Sequence, residues 1–164
     1  MSTPEERLAE AGHVLPAIAT PVAAYTPALR NGPYVFVSGQ LPTIDDKLIH
    51  VGKVGAEVTP EQAADAARQC ALNALAALKS AVGDLSAVKQ VVKVVGYVNG
   101  DPSFTSPPAV INGASELFAA AFTGASRAHA RSAVGVAMLS RNAPVVIDVQ
   151  SPVHWGEARH RSTG

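Results

Sequence analysis

Residues 88–98 carry valine on both alternating faces of an extended segment: Val88, Val92, Val94 and Val98 on one, Val91 and Val95 on the other. Successive side chains of a strand point to opposite faces, so a strand with this pattern has to be covered on both sides. Two helices are available as cover. Thr59 reads as the N-cap of the first, with Pro60 at the first helical position and Gln62 completing a T-x-x-Q capping box, and Gly83 stops it just after Val82. Ala64, Ala67, Ala71, Leu75, Leu78 and Val82 recur along it at spacings of three and four. They form one apolar stripe about 30 Å long, and so much alanine lets the helix lie close on a sheet. Asp65, Arg68 and Lys79 read as its solvated face. The second helix spans residues 107–122, with Val110, Leu117 and Phe118 among its apolar positions.

The remaining elements are short. Residues 4–12 read as a helix and residues 15–28 as an extended connector, because Pro16, Pro21 and Pro27 each disfavour helix in the residue before them. Asn31-Gly32 turns the chain into a β-branched and aromatic strand at residues 34–38 that ends at Gly39, and Asp45 and Asp46 mark another turn. Residues 132–139 and 145–150 read as two closing strands, joined by the polar turn Ser140-Arg141-Asn142-Ala143-Pro144. This order of elements predicts an α+β layer with two helices packed on one face of a mixed sheet. Two helices cannot cover both faces, so the other face is expected to be buried against another subunit.

At 164 residues, with 48% hydrophobic and 16% charged residues, the chain suits one domain with a real core. Lys plus Arg equals Asp plus Glu at 13 each, and Arg159-His160-Arg161 is too short to serve as a phosphate-binding patch. Nucleic acid is therefore not an expected partner. No basic flank leads into an apolar segment at the N-terminus, and no run reaches the roughly 18 apolar residues of a membrane span, so a cytoplasmic protein is expected. Cys70, the single cysteine, falls among alanines in the long helix and reads as a core residue; no metal site and no cofactor are expected.

His129-Ala130-Arg131-Ser132-Ala133-Val134-Gly135-Val136-Ala137 places one arginine at the opening of an apolar run. A guanidinium stays charged in any protein environment and its planar fork matches a carboxylate, so Arg131 reads either as the anchor of a small acidic ligand or as a structural ion pair or exposed strand end.

Three segments resemble a known family: Val37-Ser38-Gly39-Gln40-Leu41-Pro42, then Asn112-Gly113-Ala114-Ser115-Glu116-Leu117-Phe118, then Ala130-Arg131-Ser132-Ala133-Val134 with Leu139 eight residues after the arginine. In this order and spacing they are similar to the RidA/YjgF family of reactive-intermediate deaminases, also described as endoribonuclease L-PSP-like. The extended N-terminus and the His-Ala-Arg-Ser form resemble its longer-chain subgroup. The resemblance covers about residues 20–150, which divides the chain into an N-terminal extension with a short helix (1–19), the family domain (20–151) and a C-terminal tail (152–164).

The resemblance implies a chorismate-mutase-like fold of the bacillus type, assembled as a homotrimer with a small-ligand pocket at each subunit interface. It implies hydrolysis of 2-imino or enamine intermediates to 2-oxo acids with release of ammonia, Arg131 holding the substrate carboxylate. Ser38 and Gly39 match the family's pocket Ser-Gly, Tyr25 stands where a pocket tyrosine is found, and Asn112 matches an asparagine four residues before the helix glutamate. Each has a plainer alternative: a strand end for Ser38-Gly39, packing for Tyr25, a local irregularity for Asn112-Gly113. Ser132 adjoins the anchor, and His129 projects to the same side as Arg131 if the strand has already begun. One departure touches the chemistry. The family glutamate fifteen residues after the arginine is here Val146, with Asp148 two residues on as a shorter carboxylate on the same strand face. A non-catalytic or differently catalytic trimer that binds a small carboxylate is the alternative expectation.

Overall fold

The computed structural model describes residues 2–18 and 24–154. Helix α1 (Pro4–Glu10) is followed by β1 (Ala28–Asn31), β2 (Tyr34–Gln40), the small hairpin β3 (Thr43–Ile44) and β4 (Lys47–Leu48), and helix α2 (Pro60–Val82). Then come β5 (Lys93–Asn99), helix α3 (Pro107–Ala121), β6 (Ala130–Val136) and β7 (Val145–Pro152). Five strands form one mixed sheet in the order β1-β2-β7-β5-β6, parallel only between β5 and β6, where α3 makes the crossover. Helices α2 and α3 pack on one face of it and on each other, the α+β layer expected from the order of elements. No helix among the described residues is long and apolar enough to cross a membrane.

Helix α2 starts and stops as its sequence dictates. The Thr59 hydroxyl accepts from the Gln62 N–H and the Gln62 side chain accepts from the Thr59 N–H, while Gly83 takes φ 85° and donates to the Lys79 carbonyl. Its burial departs from the single stripe. Every residue from Ala71 to Leu78 is buried, because the sheet covers one side and α3 the other. Asn73 is satisfied in this setting by donating to the Leu41 and Thr43 carbonyls. Close approach of the helices depends on Gly113 in the middle of α3, where a Cβ would collide with the Ala64 carbonyl and stand 2.9 Å from its carbon. Gly113 is a helix contact here and not an irregularity.

The valine-rich segment is shorter as a strand than its pattern suggests. It begins at Lys93; Val88 makes only an isolated bridge to Val153, after a 3-10 turn at Leu85–Ala87. Val91 is buried and Val92 is 38% exposed, so the alternation changes phase just before the strand. Within β5, Val94 and Val98 are fully buried against the helices, and Lys93, Val95 and Tyr97 point to the opposite face. Strand β1 carries no strand pattern in its sequence; it forms a hairpin with β2 across the expected Asn31-Gly32 turn. Strand β6 starts two residues earlier than expected and ends at Val136, leaving Met138 exposed, while β7 extends to Pro152.

Residues 4–12 form a shorter helix than expected, capped reciprocally by Thr3 and Glu6. It packs on α3 with Leu8 fully buried, and Arg7 donates through Nε to the Ala121 carbonyl at 2.9 Å. This segment therefore adds to the core and does not merely precede it.

On the face away from the helices, register aligns Leu29 with Phe36, Gln150 and Lys93, and Val146 with Tyr97 and Val134. Leu29, Tyr34, Phe36 and Val134 are each between 41% and 57% exposed. No helix of the described residues packs there, so among them the face expected to need cover is open and largely apolar, with a polar strip running through it.

Candidate functional site

Arg131 is the second residue of β6, the edge strand, and its register with Val94 and Val149 turns its side chain to the helix-covered face. There α3 meets it. Nη1 donates to Ser115 Oγ at 3.0 Å and Nη2 to the Pro108 carbonyl at 3.4 Å. Among the described residues it forms no ion pair, since the two present join Arg68 to Asp65 and Lys79 to Glu5. The structural ion pair left open by the sequence is thus absent from that set: the guanidinium is half-buried between two neutral oxygens, and its charge is unneutralised by any of them.

His129, immediately before β6, joins the same group. Its Nε2 lies 2.9 Å from Ser115 Oγ, and its ring packs edge-on against Phe118 with centroids 6.2 Å apart. Burial holds the imidazole below its ordinary pKa, the Arg131 charge adds to that, and the Arg127 backbone works weakly against it. Arginine can only donate, so Ser115 Oγ accepts from Arg131 and its own proton is free to go to a neutral His129 Nε2. Asn112 stands on the same side of α3, three residues before Ser115 and four after Pro108, and is exposed.

The other candidate residues lie elsewhere. Asp148 pairs in register with Val95 and then Ser132, on the open face. Tyr97 donates its hydroxyl to Asp148 Oδ2 at 3.0 Å, and Lys93 Nζ donates to Ser132 Oγ at 3.0 Å. Burial raises the Asp148 carboxyl above its ordinary range, opposed by the Tyr97 hydrogen bond and the Lys93 charge, and burial with the Asp148 contact raises the Tyr97 phenol. The register of β2 on β7 slips between Val37 and Gln40, so Ser38 and Gly39 together stand opposite Asp148. A Cβ at Gly39 would come 2.9 Å from Val146 Cγ1, which makes glycine the residue that lets Val146 sit there. Ser38 Oγ donates to the Thr26 carbonyl at 2.7 Å, holding the segment just after Tyr25, which is 48% exposed.

One chain therefore brings together Arg131, His129 and Asn112 beside α3, and separately Ser132, Ser38, Gly39 and Asp148 on the open face. The sequence alone does not single out Ser115, Tyr97 or Lys93. Helical spacing put Ser115 on the face of Asn112, and alternation put Lys93 and Tyr97 with Val95, so a signal existed for each.

A model of the family described as "YjgF/chorismate_mutase-like, putative endoribonuclease" matches residues 5–149. The chain belongs to this family. It is 43% identical over 137 residues to Protein TCP17 of Trypanosoma cruzi, covering 84% of this chain and 86% of that one. The Agrobacterium tumefaciens protein Atu1372, whose function is unknown, has a crystal structure that matches with TM-score 0.85 and 42% identity over 93% of this chain and 94% of that one. A "putative endoribonuclease" from Shewanella oneidensis MR-1 matches with TM-score 0.88 and 33% identity over 93% and 100%.

Proposed function

We propose that this protein hydrolyses reactive 2-imino acids to 2-oxo acids, releasing ammonia, with Arg131 holding the substrate carboxylate. The observation that carries this reading is the half-buried Arg131 guanidinium, held by Ser115 and Pro108 and left without a carboxylate among the described residues. A planar imino acid presents two carboxylate oxygens to that fork, and its electrophilic C2 then lies next to Ser115. Water adds at C2, and collapse of the adduct expels ammonia. Escherichia coli TdcF, a fold relative at 19% identity and TM-score 0.56 over 84% of this chain and 93% of that one, is known with bound serine, a small carboxylate-bearing molecule. Ribonuclease action fits less well, because equal numbers of basic and acidic residues leave no charge excess for a phosphate backbone.

We further infer a homotrimer whose pockets lie between subunits, Arg131 of one copy facing the Ser38, Gly39 and Asp148 region of the next, with Tyr25 at its margin. The apolar open face supplies the surface for such packing. A second reading, binding of a small carboxylate without turnover, is favoured by Val146 in place of the family glutamate.

An amino-acid oxidase that generates 2-imino acids in the presence of a semicarbazide trap separates the two. The expected result is faster 2-oxo acid formation with wild type, and a loss of about tenfold to a hundredfold or more with Arg131→Lys, which keeps the charge but not the fork. Sedimentation of the same sample should give three chains per particle. Pyruvate binding with no acceleration leaves the binding reading; a stable monomer at micromolar concentration overturns the shared pocket.

A further inference from the structure

We propose that Ser115 and His129 carry the protons of this reaction, Ser115 touching the attacking water and His129 acting through Ser115. The inference rests on the imine-hydrolysis reading above and names the groups that serve it. A carboxylate seated on Arg131 would lie beside Ser115 Oγ, which the guanidinium contacts at 3.0 Å. From that oxygen a hydrogen bond of 2.9 Å leads to His129 Nε2. The position expected to hold a glutamate is Val146, and within the same chain Asp148 is turned to the opposite face of the sheet toward Tyr97. On the Arg131 side, His129 is the titratable group hydrogen-bonded to the anchor's own partner.

The ring is prepared for this role. Phe118 packs against it and burial and Arg131 favour its neutral form, so at neutral pH its Nε2 lone pair can take a proton. The charged groups around it among the described residues are few. Arg131 faces it from β6; Glu116 on α3 is exposed and forms no ion pair with it; Arg127 contributes its backbone; Lys93 of β5 is on the other face, bound to Ser132.

The water oxygen bonds to C2 while the C=N π pair moves to nitrogen; a water proton passes to Ser115 Oγ as the Ser115 proton passes to His129 Nε2. His129 returns that proton through Ser115 to the nitrogen, giving the carbinolamine. Transfer of the hydroxyl proton by the same route to nitrogen breaks the C–N bond, and ammonia leaves as the C2=O bond forms. No oxidant, metal or cofactor enters.

The test is the pH profile of kcat/KM for imine hydrolysis by wild type, Ser115→Ala, His129→Gln and Asp148→Asn, together with the titration of the His129 ring protons by NMR with and without pyruvate. Wild type should lose activity on the acid side through a pKa below that of ordinary histidine, and the NMR titration should report the same value. His129→Gln and Ser115→Ala should lower kcat by about a hundredfold to ten-thousandfold and abolish that acid limb, with pyruvate affinity within about fivefold of wild type. Asp148→Asn should keep the limb. An acid limb that survives in His129→Gln, or that disappears in Asp148→Asn, overturns the relay and leaves imine hydrolysis standing. A wild type that binds pyruvate and hydrolyses no imine overturns both. Because the wild-type NMR titration needs no variant, a mismatch between it and the kinetic limb refutes the relay even if His129→Gln fails to fold.

Discussion

Replacing Arg131 with methionine separates a ligand anchor from a structural cation. The substitution removes two hydrogen bonds to neutral oxygens, one of 3.0 Å to Ser115 Oγ and a longer one of 3.4 Å to the Pro108 carbonyl. At a net of about 0.5–1.5 kcal/mol each these cost about 1–3 kcal/mol. In the opposite direction, it removes a half-buried charge that no carboxylate of the described residues neutralises, and it adds apolar surface beside α3. The two effects leave a net change of about 1 kcal/mol in either direction, or roughly 2–4 °C in melting temperature for a chain of this size. Breaking a buried ion pair would instead cost about 3–5 kcal/mol. Binding responds differently, since a carboxylate on the fork loses two charge-assisted hydrogen bonds worth about 1.5–3 kcal/mol each, a weakening of a hundredfold or more. Thermal unfolding by circular dichroism and calorimetric titration with pyruvate read the two quantities on one preparation. A melting temperature lowered by more than about 10 °C with pyruvate affinity intact would refute the anchoring role.

Two other substitutions test the scaffold. Gly113→Ala gains about 1 kcal/mol of helix propensity but drives a Cβ into the Ala64 carbonyl, a backbone atom that cannot swing away; a net loss of about 1–2 kcal/mol is expected in urea unfolding, and an unchanged midpoint would show that α2 and α3 are less tightly seated than their contact implies. Asp148 has its folded pKa raised by burial, so its ionised form opposes folding above that pKa and the penalty disappears below the unfolded value. Asp148→Asn should therefore raise the melting temperature at pH 7 and lose that advantage toward pH 4; an equal gain at both would point to packing and not to charge.

Much of the fold was legible because its signals are local. The Thr59 capping box, the glycine stop at Gly83 and the three-and-four spacing between them define α2 without reference to the rest of the chain. The errors arise where tertiary contacts decide. Val88, Val91 and Val92 look like strand, yet the 3-10 turn before them sets a different phase and pairing begins only at Lys93. Strand β1 has no strong pattern of its own and forms because β2 lies beside it. Arg131 stood out as a cation without a local partner, and that is its condition among the described residues. Ser115 did not stand out, since a serine within an apolar helix is ordinary until the strand opposite it is known.

The separation of Arg131 from Asp148 shows most clearly what a one-dimensional pattern lacks. Alternation places Asp148 with Val146 on β7 and Arg131 with Ala133 on β6, but it does not say which of these sets shares a face. That depends on β5, which lies between the two strands and pairs Val94 with both Arg131 and Val149. Two strand spacings, about 10 Å, and the thickness of the sheet then stand between the guanidinium and the Asp148 carboxylate. No molecule as small as an imino acid spans that path within one chain. A ligand that touches both groups has to lie between two copies, whereas Arg131, Ser115 and His129 are already assembled in each. The Arg131–Ser115–His129 group belongs to the single fold, and Asp148 could join it at one ligand only across two copies.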